Sequence, residues 1–343
     1  GTGQHGLGID GGRVRTLFGR PAEVGNVVRI GVTEPDEYAT LIDPLPEDPD
    51  NALIAIWQNV AEPRTRVARM NVRTGHLQTF AHAPVRRAAF TVDASGGIRF
   101  ARGSDSANAS KLYYREHDAA DWRMVNDESQ SSRIVIPLGM ATEEGIAYMR
   151  VEQSQGPDAI ERWDMRTDVR TQVLRDEVVD PYAILYAMDM RTPVGAQYMR
   201  DGAVRMRAFD ENEPIVALYR GLEQAFSESA VRVTSFTRDG GTALGWAWND
   251  RMAGDYFVYD VAKRHANGIF SRMEWLPYEE MAPMRAIRLQ ARDGVALQGY
   301  LTTPPGGATD ARPMVVLPHG GPFGVYDQWR FDSEVQMLAS AGY

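Results

Sequence analysis

The sequence predicts a mainly β protein, in which a β-propeller with blades of four antiparallel strands precedes the opening elements of an α/β domain. Three observations predict this architecture. Strand-like segments return with a period of about 48 residues, two hairpins fill each period, and the repeat stops near residue 278, where the apolar pattern changes. A period of about 40 to 50 residues with two hairpins is typical of a propeller blade, and less so of a β-sandwich.

The first series of repeats places an Asn, Asp or Glu between an apolar run and a polar turn. Its anchors are Asn71, Glu116, Asp164 and Asp260, at gaps of 45, 48 and 96 residues. Because 96 is twice 48, one copy is expected in the last gap, and the weaker run at residues 216–219 is the candidate strand there.

A second series marks turns between strand-like runs. Its members are Asn51, Gly96, Gly145, Gly195 and Gly240, at gaps of 45, 49, 50 and 45 residues. Glycine adopts positive φ without steric cost, as many hairpin turns require. We therefore predict a tight turn at each of these positions.

Together the two series predict five complete blades between about residues 38 and 278. Before them, residues 7–12 and 14–18 resemble the outer hairpin of a preceding blade. The predicted domains are therefore a propeller over residues 1–278 and the start of a second domain over residues 279–343.

The second domain is predicted to begin with a hairpin around the turn Asp293-Gly294. The continuously apolar run at residues 313–318 then predicts a strand buried on both faces, as in a parallel sheet. A glycine loop follows, and Asp332 or Ser333 can cap a helix over residues 334–339 that ends at Gly342. Hairpin, buried strand, glycine loop and helix are the order in which an α/β-hydrolase sheet begins.

Several of these segments resemble the prolyl oligopeptidase family of serine peptidases, in particular the branch of acylaminoacyl peptidases and bacterial dipeptidyl peptidases and oligopeptidases. The resemblance covers about 55 residues and rests on residues 292–301, 315–322, 328–332 and 339–343. The propeller resembles the family in architecture and order only.

The resemblance implies that the propeller caps an α/β-hydrolase domain and that the loop His319-Gly320-Gly321-Pro322 lies beside the oxyanion hole. Acyl transfer places negative charge on the former carbonyl oxygen, and backbone N–H groups on a glycine turn can approach that oxygen closely. We therefore assign Gly320 and Gly321 as candidate oxyanion-loop backbone and His319 as its orienter or as a donor.

The catalytic triad of the family has no counterpart in the sequence. No Gly-x-Ser-x-Gly motif is present, and Ser104 and Ser106 lie in a polar loop. The other histidines, at positions 5, 76, 82, 117 and 265, all fall in propeller-like or terminal segments. The resemblance therefore implies a triad beyond Tyr343 and no hydrolysis by this chain alone. It also implies a peptide substrate and no cofactor.

The predicted strand at residues 314–317 needs parallel neighbours and covering helices. We expect these from the missing C-terminal part of the hydrolase domain or from another copy of the chain. Otherwise the segment is expected to be disordered.

Composition argues against several other functions. The net charge of −9, with the charges dispersed, argues against nucleic-acid binding. No apolar run approaches the roughly 20 residues of a membrane span. Cysteine is absent, the histidines and carboxylates lack metal-ligand spacing, and no signal peptide is visible, which leaves the cytoplasm and the periplasm open.

Two pairs of residues have a functional and a structural interpretation. Glu143 and Glu144 resemble a pair that could hold a substrate amino group, but a solvated turn is favoured. Trp246 and Trp248 share one strand face, which favours packing between blades over a ligand platform. At the level of function, a non-catalytic binding propeller and an esterase on the same fold remain the alternatives.

Overall fold

Strands dominate the computed structural model, which describes residues 37–306, 313–321 and 324–343, together with the backbone of three short strands before residue 37. Those three are β1 (Gln4–Leu7), β2 (Val14–Phe18) and β3 (Val28–Arg29). β1 and β2 pair antiparallel, as the predicted outer hairpin requires. The predicted turn residues between them lie outside the described residues.

The first two predicted blades are joined into one sheet of seven strands. The strands are β4 (Glu37–Asp43), β5 (Asn51–Gln58), β6 (Arg64–Asn71), β7 (Leu77–Val92), β8 (Ile98–Ser104), β9 (Ser110–Tyr114) and β10 (Arg123–Asp127). We call β4 to β7 blade A and β7 to β10 blade B. The first part of β7 pairs with β6 and its last part with β8, so one 16-residue strand serves both blades.

A short helix, α1 (Glu128–Ser131), leads into the next sheet. This sheet, blade C, consists of β11 (Val135–Met140), β12 (Ile146–Val151), β13 (Ala159–Asp164) and β14 (Val169–Arg175). Blade E has the same four-stranded antiparallel order and consists of β18 (Ala230–Phe236), β19 (Thr242–Trp248), β20 (Asp255–Asp260) and β21 (His265–Ser271).

Blade D, which comes between blades C and E in the sequence, has three strands and a helix. It consists of β15 (Pro181–Tyr186), β16 (Pro193–Arg200), β17 (Ala203–Ala208) and α2 (Pro214–Ala225). The strand predicted at residues 216–219 is wrong, because these residues lie in α2. Two side chains of α2 satisfy backbone groups of Met206 in β17: Glu223 accepts from its N–H at 2.6 Å and Arg220 donates to its carbonyl at 3.3 Å.

The polar anchors of the first series lie at the end of the third strand of each blade: Asn71, Asp164 and Asp260 are the last residues of β6, β13 and β20, and Glu116 comes two residues after β9. Asn71 and Asp164 use their side-chain oxygens to accept backbone N–H groups two residues further on, at 3.0 Å. Asp260 accepts the N–H of Lys263 at 2.9 Å. Asp210, which accepts the N–H of Asn212 at 2.9 Å, is the copy that belongs in the doubled gap. These Asx turns explain why Asn or Asp stands at these four positions.

The predicted glycine turns are confirmed at three positions. Gly96, Gly145 and Gly240 have φ of 81°, 74° and 69° and stand between the first and second strands of blades B, C and E. The prediction for Gly195 is wrong, because Gly195 lies inside β16. A Cβ there would come within 2.6 Å of the carbonyl oxygen of Arg207, so this glycine permits a close approach of two strands.

The chain divides into two compact units, residues 1–175 with 191–193 and residues 176–190 with 194–343. In the first unit, a core around Phe100, Leu112 and Trp163 joins blades B and C. In the second unit, a core around Tyr219 and Phe257 joins blades D and E. The predicted domain boundary at residue 278 and the number of complete blades stay predictions.

After blade E, β22 (Met284–Gln290) and β23 (Ala296–Thr302) form the predicted hairpin, with Gly294 at a φ of 88°. The predicted helix is α3 (Ser333–Ser340), and the side chain of Asp332 caps its N-terminus at 2.9 and 3.1 Å. The strand predicted at residues 314–317 is not formed within this chain, whose described residues lack the parallel neighbours that the prediction required. Those residues have no strand partner among the described residues, and a parallel strand exists only through pairing with neighbours.

Candidate active site

The predicted oxyanion loop is described from His319 to Gly321, and Pro322 lies outside the described residues. The loop is exposed and has no regular secondary structure. His319 Nδ1 lies 2.7 Å from the carbonyl oxygen of Gly320. A carbonyl can only accept, so the proton is on Nδ1, and in the neutral ring Nε2 is the acceptor.

The two glycines of the loop are not required by the packing around them. A Cβ added to Gly320 or Gly321 would meet no atom within 4 Å, and neither residue has positive φ. This differs from Gly96, where a Cβ would come within 2.7 Å of Leu45. Among the described residues, no atom therefore covers the backbone of this loop where a side chain would stand.

A cleft of about 470 Å³ lies beside His319, within the size range of about 300–1,000 Å³ typical of ligand sites. One wall comes from the start of β15 and the end of β16, and the other comes from β22, β23 and the loop after His319. Its lining residues are Val178, Val179, Asp180, Tyr182, Met199, Asp201, Ala286, Ile287, Arg288, Gln298, Gly299, Tyr300, His319, Gly324, Val325, Tyr326 and Asp327.

The two walls meet in a buried apolar cluster. Met199 and Trp329 belong to this cluster, and Tyr182 and Tyr300 pack against it. The backbone N–H of Trp329 lies 3.1 Å from Met199 Sδ. Burial raises the pKa of Tyr300, so its hydroxyl is neutral at physiological pH. Apolar packing around Met199 and Trp329 therefore holds the two walls of the cleft together.

A network of ion pairs lies behind the first wall. Asp176, whose side chain is 1% exposed, pairs with Arg207 at 2.6 Å and with Arg200 at 3.2 Å. Its Oδ1 also accepts the N–H groups of Val178 and Val179 at 2.9 and 3.2 Å, which fixes the backbone of that wall. Burial raises the pKa of Asp176, but these N–H groups and the two guanidinium groups outweigh burial, so the pKa lies below its usual value.

The network continues to the exposed edge of the cleft. Arg200 Nε lies 3.3 Å from Asp201 Oδ2, and Arg288 of β22 donates to Asp201 Oδ1 at 2.7 Å. Asp201 and Gly202, at φ of 54° and 77°, form the turn between β16 and β17. Asp201 and Arg288 lie on opposite walls and form an ion pair between them.

The segment after the glycine loop is anchored on blade E through Gln336 of α3. This side chain is buried and donates to the carbonyl oxygens of Asp250 and Ala282 at 3.1 and 2.9 Å. Its own oxygen accepts the N–H of Ala282 at 2.8 Å. The N–H of Phe331 donates to the carbonyl of Asn249 at 2.8 Å. These bonds position the tail that carries Tyr326, Asp327 and Trp329.

The other candidate residues have structural roles. Glu143 lies at the turn before β12, where it pairs with Arg162 at 2.7 Å and with Arg166 at 3.2 Å. Trp248 is 1% exposed and stacks on Trp246 at 4.2 Å in the cluster shared with blade D. Both observations agree with the favoured interpretations.

Ser104 ends β8 in the first unit, whereas the cleft is built from residues of the second. No cluster of three metal-ligating side chains occurs among the described residues. Within the same residues, none of the helices has the length and apolar character of a membrane span.

Sequence reasoning missed most of the cleft. Tyr182, Asp201 and Arg288 come from three segments far apart in the sequence, and no local pattern connects them. Asp176 is the one residue near the cleft whose role the sequence indicates, because an aspartate two residues before a pair of valines suits an Asx turn. The sequence therefore identified the loop that borders the site and not the walls.

Comparisons with known proteins identify the fold. The chain is similar to a crystal structure of puromycin hydrolase, with a TM-score of 0.60 and 16% identity over 89% of this chain and 49% of that one. It is also similar to a protein from Bacteroides ovatus described as a dipeptidyl aminopeptidase IV, with a TM-score of 0.55 and 10% identity over 99% of this chain and 57% of that one.

A third similar structure comes from a study of two prolyl endopeptidases, with a TM-score of 0.51 and 10% identity over 96% of this chain and 55% of that one. No protein-family model and no curated protein sequence matches. The chain therefore spans about half the length of the structures that it matches. These similarities confirm the predicted fold, a β-propeller followed by the first elements of an α/β-hydrolase domain.

Proposed function

We propose that this chain, which has the fold of the prolyl oligopeptidase family, belongs to a serine-type hydrolase of short peptides and forms its propeller and the entrance to its catalytic domain. The observation that carries the proposal is the cleft between blade D and the hairpin β22–β23, with His319 and its glycine loop at the edge. The similar structures are, by their descriptions, a hydrolase and peptidases.

In the proposed reaction, a serine Oγ attacks the peptide carbonyl, the C–N bond breaks, and the amine leaves with a proton from a catalytic histidine. Water then hydrolyses the acyl-enzyme and restores the serine. This chain contributes the oxyanion loop, where the backbone N–H groups of Gly320 and Gly321 stabilise the negative oxygen. The hydrogen bond from His319 to the carbonyl of Gly320 orients that peptide unit.

The residues of the cleft suit a peptide. Tyr182, Tyr300 and Tyr326 offer aromatic surface to side chains, and Asp180 and Asp327 add negative charge. We propose that the propeller restricts entry to short or unfolded chains. We propose that the serine, aspartate and histidine of the triad lie outside this chain, which is therefore inactive alone.

The apolar segment before the glycine loop is exposed, which supports the proposal that another polypeptide segment covers it. Met314 and Val316 are 73% and 70% exposed, and Leu289 and Leu297 of the hairpin are 56% and 46% exposed. The four apolar residues at 314–317 are consecutive and all exposed, and a run of exposed apolar residues marks an interaction surface. We propose that parallel strands from the remainder of the hydrolase domain cover this segment. Another copy of the chain is the competing partner.

A fluorophosphonate probe tests the proposal. The intact protein, with the segment that supplies the triad, should be labelled at one serine and should hydrolyse peptide anilides faster than matched esters. The chain alone should not be labelled. Stoichiometric labelling of the chain alone would contradict the proposed position of the triad. No labelling of the intact protein, or a preference for esters, would contradict the peptidase function.

A matched pair of glycine variants tests the oxyanion loop in the intact protein. A Cβ meets no atom within 4 Å at either Gly321 or Gly268, and Gly268 lies in β21, away from the cleft. Gly321→Ala should therefore fold normally but lower kcat by about 100-fold, because the added methyl displaces the reacting carbonyl. Gly268→Ala should leave kcat unchanged. Equal activity of the two variants would remove the loop from the mechanism.

A further inference from the structure

A second cavity lies in the first compact unit, in blade A and beside the strand that this blade shares with blade B. Its volume is about 570 Å³, within the range of about 300–1,000 Å³ typical of ligand sites. It is bounded by β4, by the end of β5 with the loop that follows, and by the middle of β7. Its walls therefore come from three strands of one sheet.

The lining of this cavity is apolar and carries charge of one sign only. Nine of the fourteen residues that line it are apolar, among them Leu41, Trp57 and Phe90, and four are polar and neutral. The remaining one is Arg87. The chain has 46 acidic residues against 37 basic ones, yet none of the described residues that line this cavity is acidic. Apolar walls with a single cation suit an anion whose remainder is apolar.

Arg87 differs from its neighbour Arg86 in its partners. The guanidinium of Arg86 donates to Glu62 at 2.8 Å, to the side-chain oxygen of Asn108 at 3.1 Å and to the carbonyl of Ser104 at 3.1 Å. Arg87 is exposed, and its guanidinium has no hydrogen bond or ion pair with the residues that the structure describes. Arg86 therefore has a structural role, whereas the charge of Arg87 is available to a ligand.

A β-bulge sets the position of Arg87. The register of the β7–β8 pair shifts around this residue, whose φ is 51°. Its N–H donates to the carbonyl of Pro63 at 3.0 Å, and the N–H of Ala88 donates to the hydroxyl of Thr65 at 3.2 Å. Bulges next to active sites often re-aim a side chain. Two hydrogen bonds to the opposite wall thus fix the backbone that carries the cation.

We propose that this cavity binds a carboxylate with an apolar body, the carboxylate on the guanidinium of Arg87 and the apolar part against Trp57 and Phe90. A planar guanidinium matches a carboxylate with two parallel hydrogen bonds. The C-terminus of a peptide and a free apolar acid share this chemistry. Binding itself does not depend on the proposed function. A peptide as the natural source does rest on it, because hydrolysis of a peptide releases a new C-terminal carboxylate.

Isothermal titration calorimetry tests the site in the intact protein, first treated with a fluorophosphonate that blocks a catalytic serine. The probes are N-acetyl-leucyl-phenylalanine, its C-terminal amide and hydrocinnamate, a free acid with a phenyl ring. The peptide acid should bind at least about tenfold more tightly than the amide, because the amide lacks the charge-assisted bonds. Arg87→Gln should weaken binding of the acid by a similar factor and leave the amide unchanged. Arg87→Lys should restore part of the loss.

Arg264→Gln is the matched control. Arg264 is exposed and has a φ of 52°, as at Arg87, but it lies between β20 and β21 and away from the cavity. Its replacement removes the same charge and should leave binding of the acid unchanged. Equal losses in Arg264→Gln and Arg87→Gln, equal binding of the acid and the amide, or no binding of either acid would overturn the proposal.

The third probe distinguishes the two sources of the carboxylate. Tighter binding of the peptide acid than of hydrocinnamate would support a peptide C-terminus as the ligand, and equal binding would support a free apolar acid. Both results require the dependence on Arg87. Failure of the fluorophosphonate to label a serine would contradict the proposed function but would leave this binding measurement intact, so the two proposals can fail separately.

Discussion

Replacement of Arg191 by methionine should strongly destabilise the first compact unit. Arg191 Nε donates to Asp43 Oδ2 at 2.7 Å, Nη2 contacts Oδ1 of the same carboxylate, and Nη1 donates to the carbonyl of Ala94 at 2.6 Å. The side chains of Arg191 and Asp43 are 7% and 5% exposed. One guanidinium therefore holds the loop after β4 and the turn before β8.

The expected magnitude follows from this burial. Removal of one partner from a buried ion pair costs about 3–5 kcal/mol, because the remaining charge is left in a poorly solvated site. The carboxylate of Asp43 would retain one bond, from the N–H of Leu45 at 2.7 Å, which does not neutralise it. We therefore expect Arg191→Met to lower the free energy of unfolding of this unit by about 3–5 kcal/mol.

Two further variants separate charge from packing. Asp43→Asn combined with Arg191→Met should recover at least half of the loss, because the amide still accepts from Leu45 and no charge is buried alone. Arg69→Met is the matched control, since Arg69 pairs with Asp48 at 3.2 Å and the two side chains are 48% and 33% exposed. Its cost should be below about 1 kcal/mol.

The assay is urea-induced unfolding, monitored by pulsed hydrogen exchange. Exchange is read from peptides of β5, so that the transition of the first unit is measured separately. A cost of Arg191→Met below about 1 kcal/mol, or one equal to that of Arg69→Met, would refute the argument from burial. A double variant less stable than Arg191→Met would show that packing and not charge dominates.

Three further predictions follow from local contacts. The pKa of Asp176 is lowered in the folded protein, so its stabilisation is present above its unfolded pKa of about 3.9 and is lost as pH falls through the lower folded pKa. Asp176→Asn should therefore lower the urea midpoint at pH 7, and its curve should converge with that of the unsubstituted protein in acid. Gly139 has a φ of 157°, and a Cβ there would lie 2.6 Å from the carbonyl oxygen of Arg191. Gly139→Ala should cost about 1–3 kcal/mol in the same unfolding assay, and no measurable loss would contradict the close approach. Glu223→Ala should cost about 1–3 kcal/mol because the N–H of Met206 loses its acceptor, whereas Gln224→Ala, on the exposed face of α2, should be neutral by calorimetry.

Regular turn chemistry made much of the fold predictable. Gly96, Gly145 and Gly240 were found because hairpins that need positive φ select glycine. The prediction at Gly195 failed because the turn before β16 has its positive φ at a residue other than glycine. The loop before β16 contains Met190 at a φ of 56°, a residue that gives no turn signal in the sequence, while the nearby glycine serves a close strand approach.

The helix in blade D was missed although its pattern was present. Ile215, Val216, Tyr219 and Leu222 are the buried residues of α2, spaced as on one face of a helix. Pro214 at the first turn is a further start signal. The repeat period predicted a strand, but a helix places these four apolar residues together in the core between blades D and E.

The site was predictable only where it is local. His319, Gly320 and Gly321 were identified by resemblance, and their role stays a prediction. The walls of the cleft join residues such as Tyr182 and Arg288, which are brought together by the packing of blade D, β22 and the tail. No spacing in the sequence encodes that contact.

The strand shared by blades A and B restricts how the chain can change length. Side chains alternate along β7, so one extra residue in its first part would turn the core positions of blade A outward, and one in its last part would do so in blade B. The register already shifts between Arg86 and Ala89, where Arg87 has a φ of 51° and donates to the carbonyl of Pro63 at 3.0 Å. The register of the β6–β7 pair also shifts, between Val67 and Ala68. Insertions and deletions in β7 are therefore expected at these irregular positions and not in the regular stretches between them.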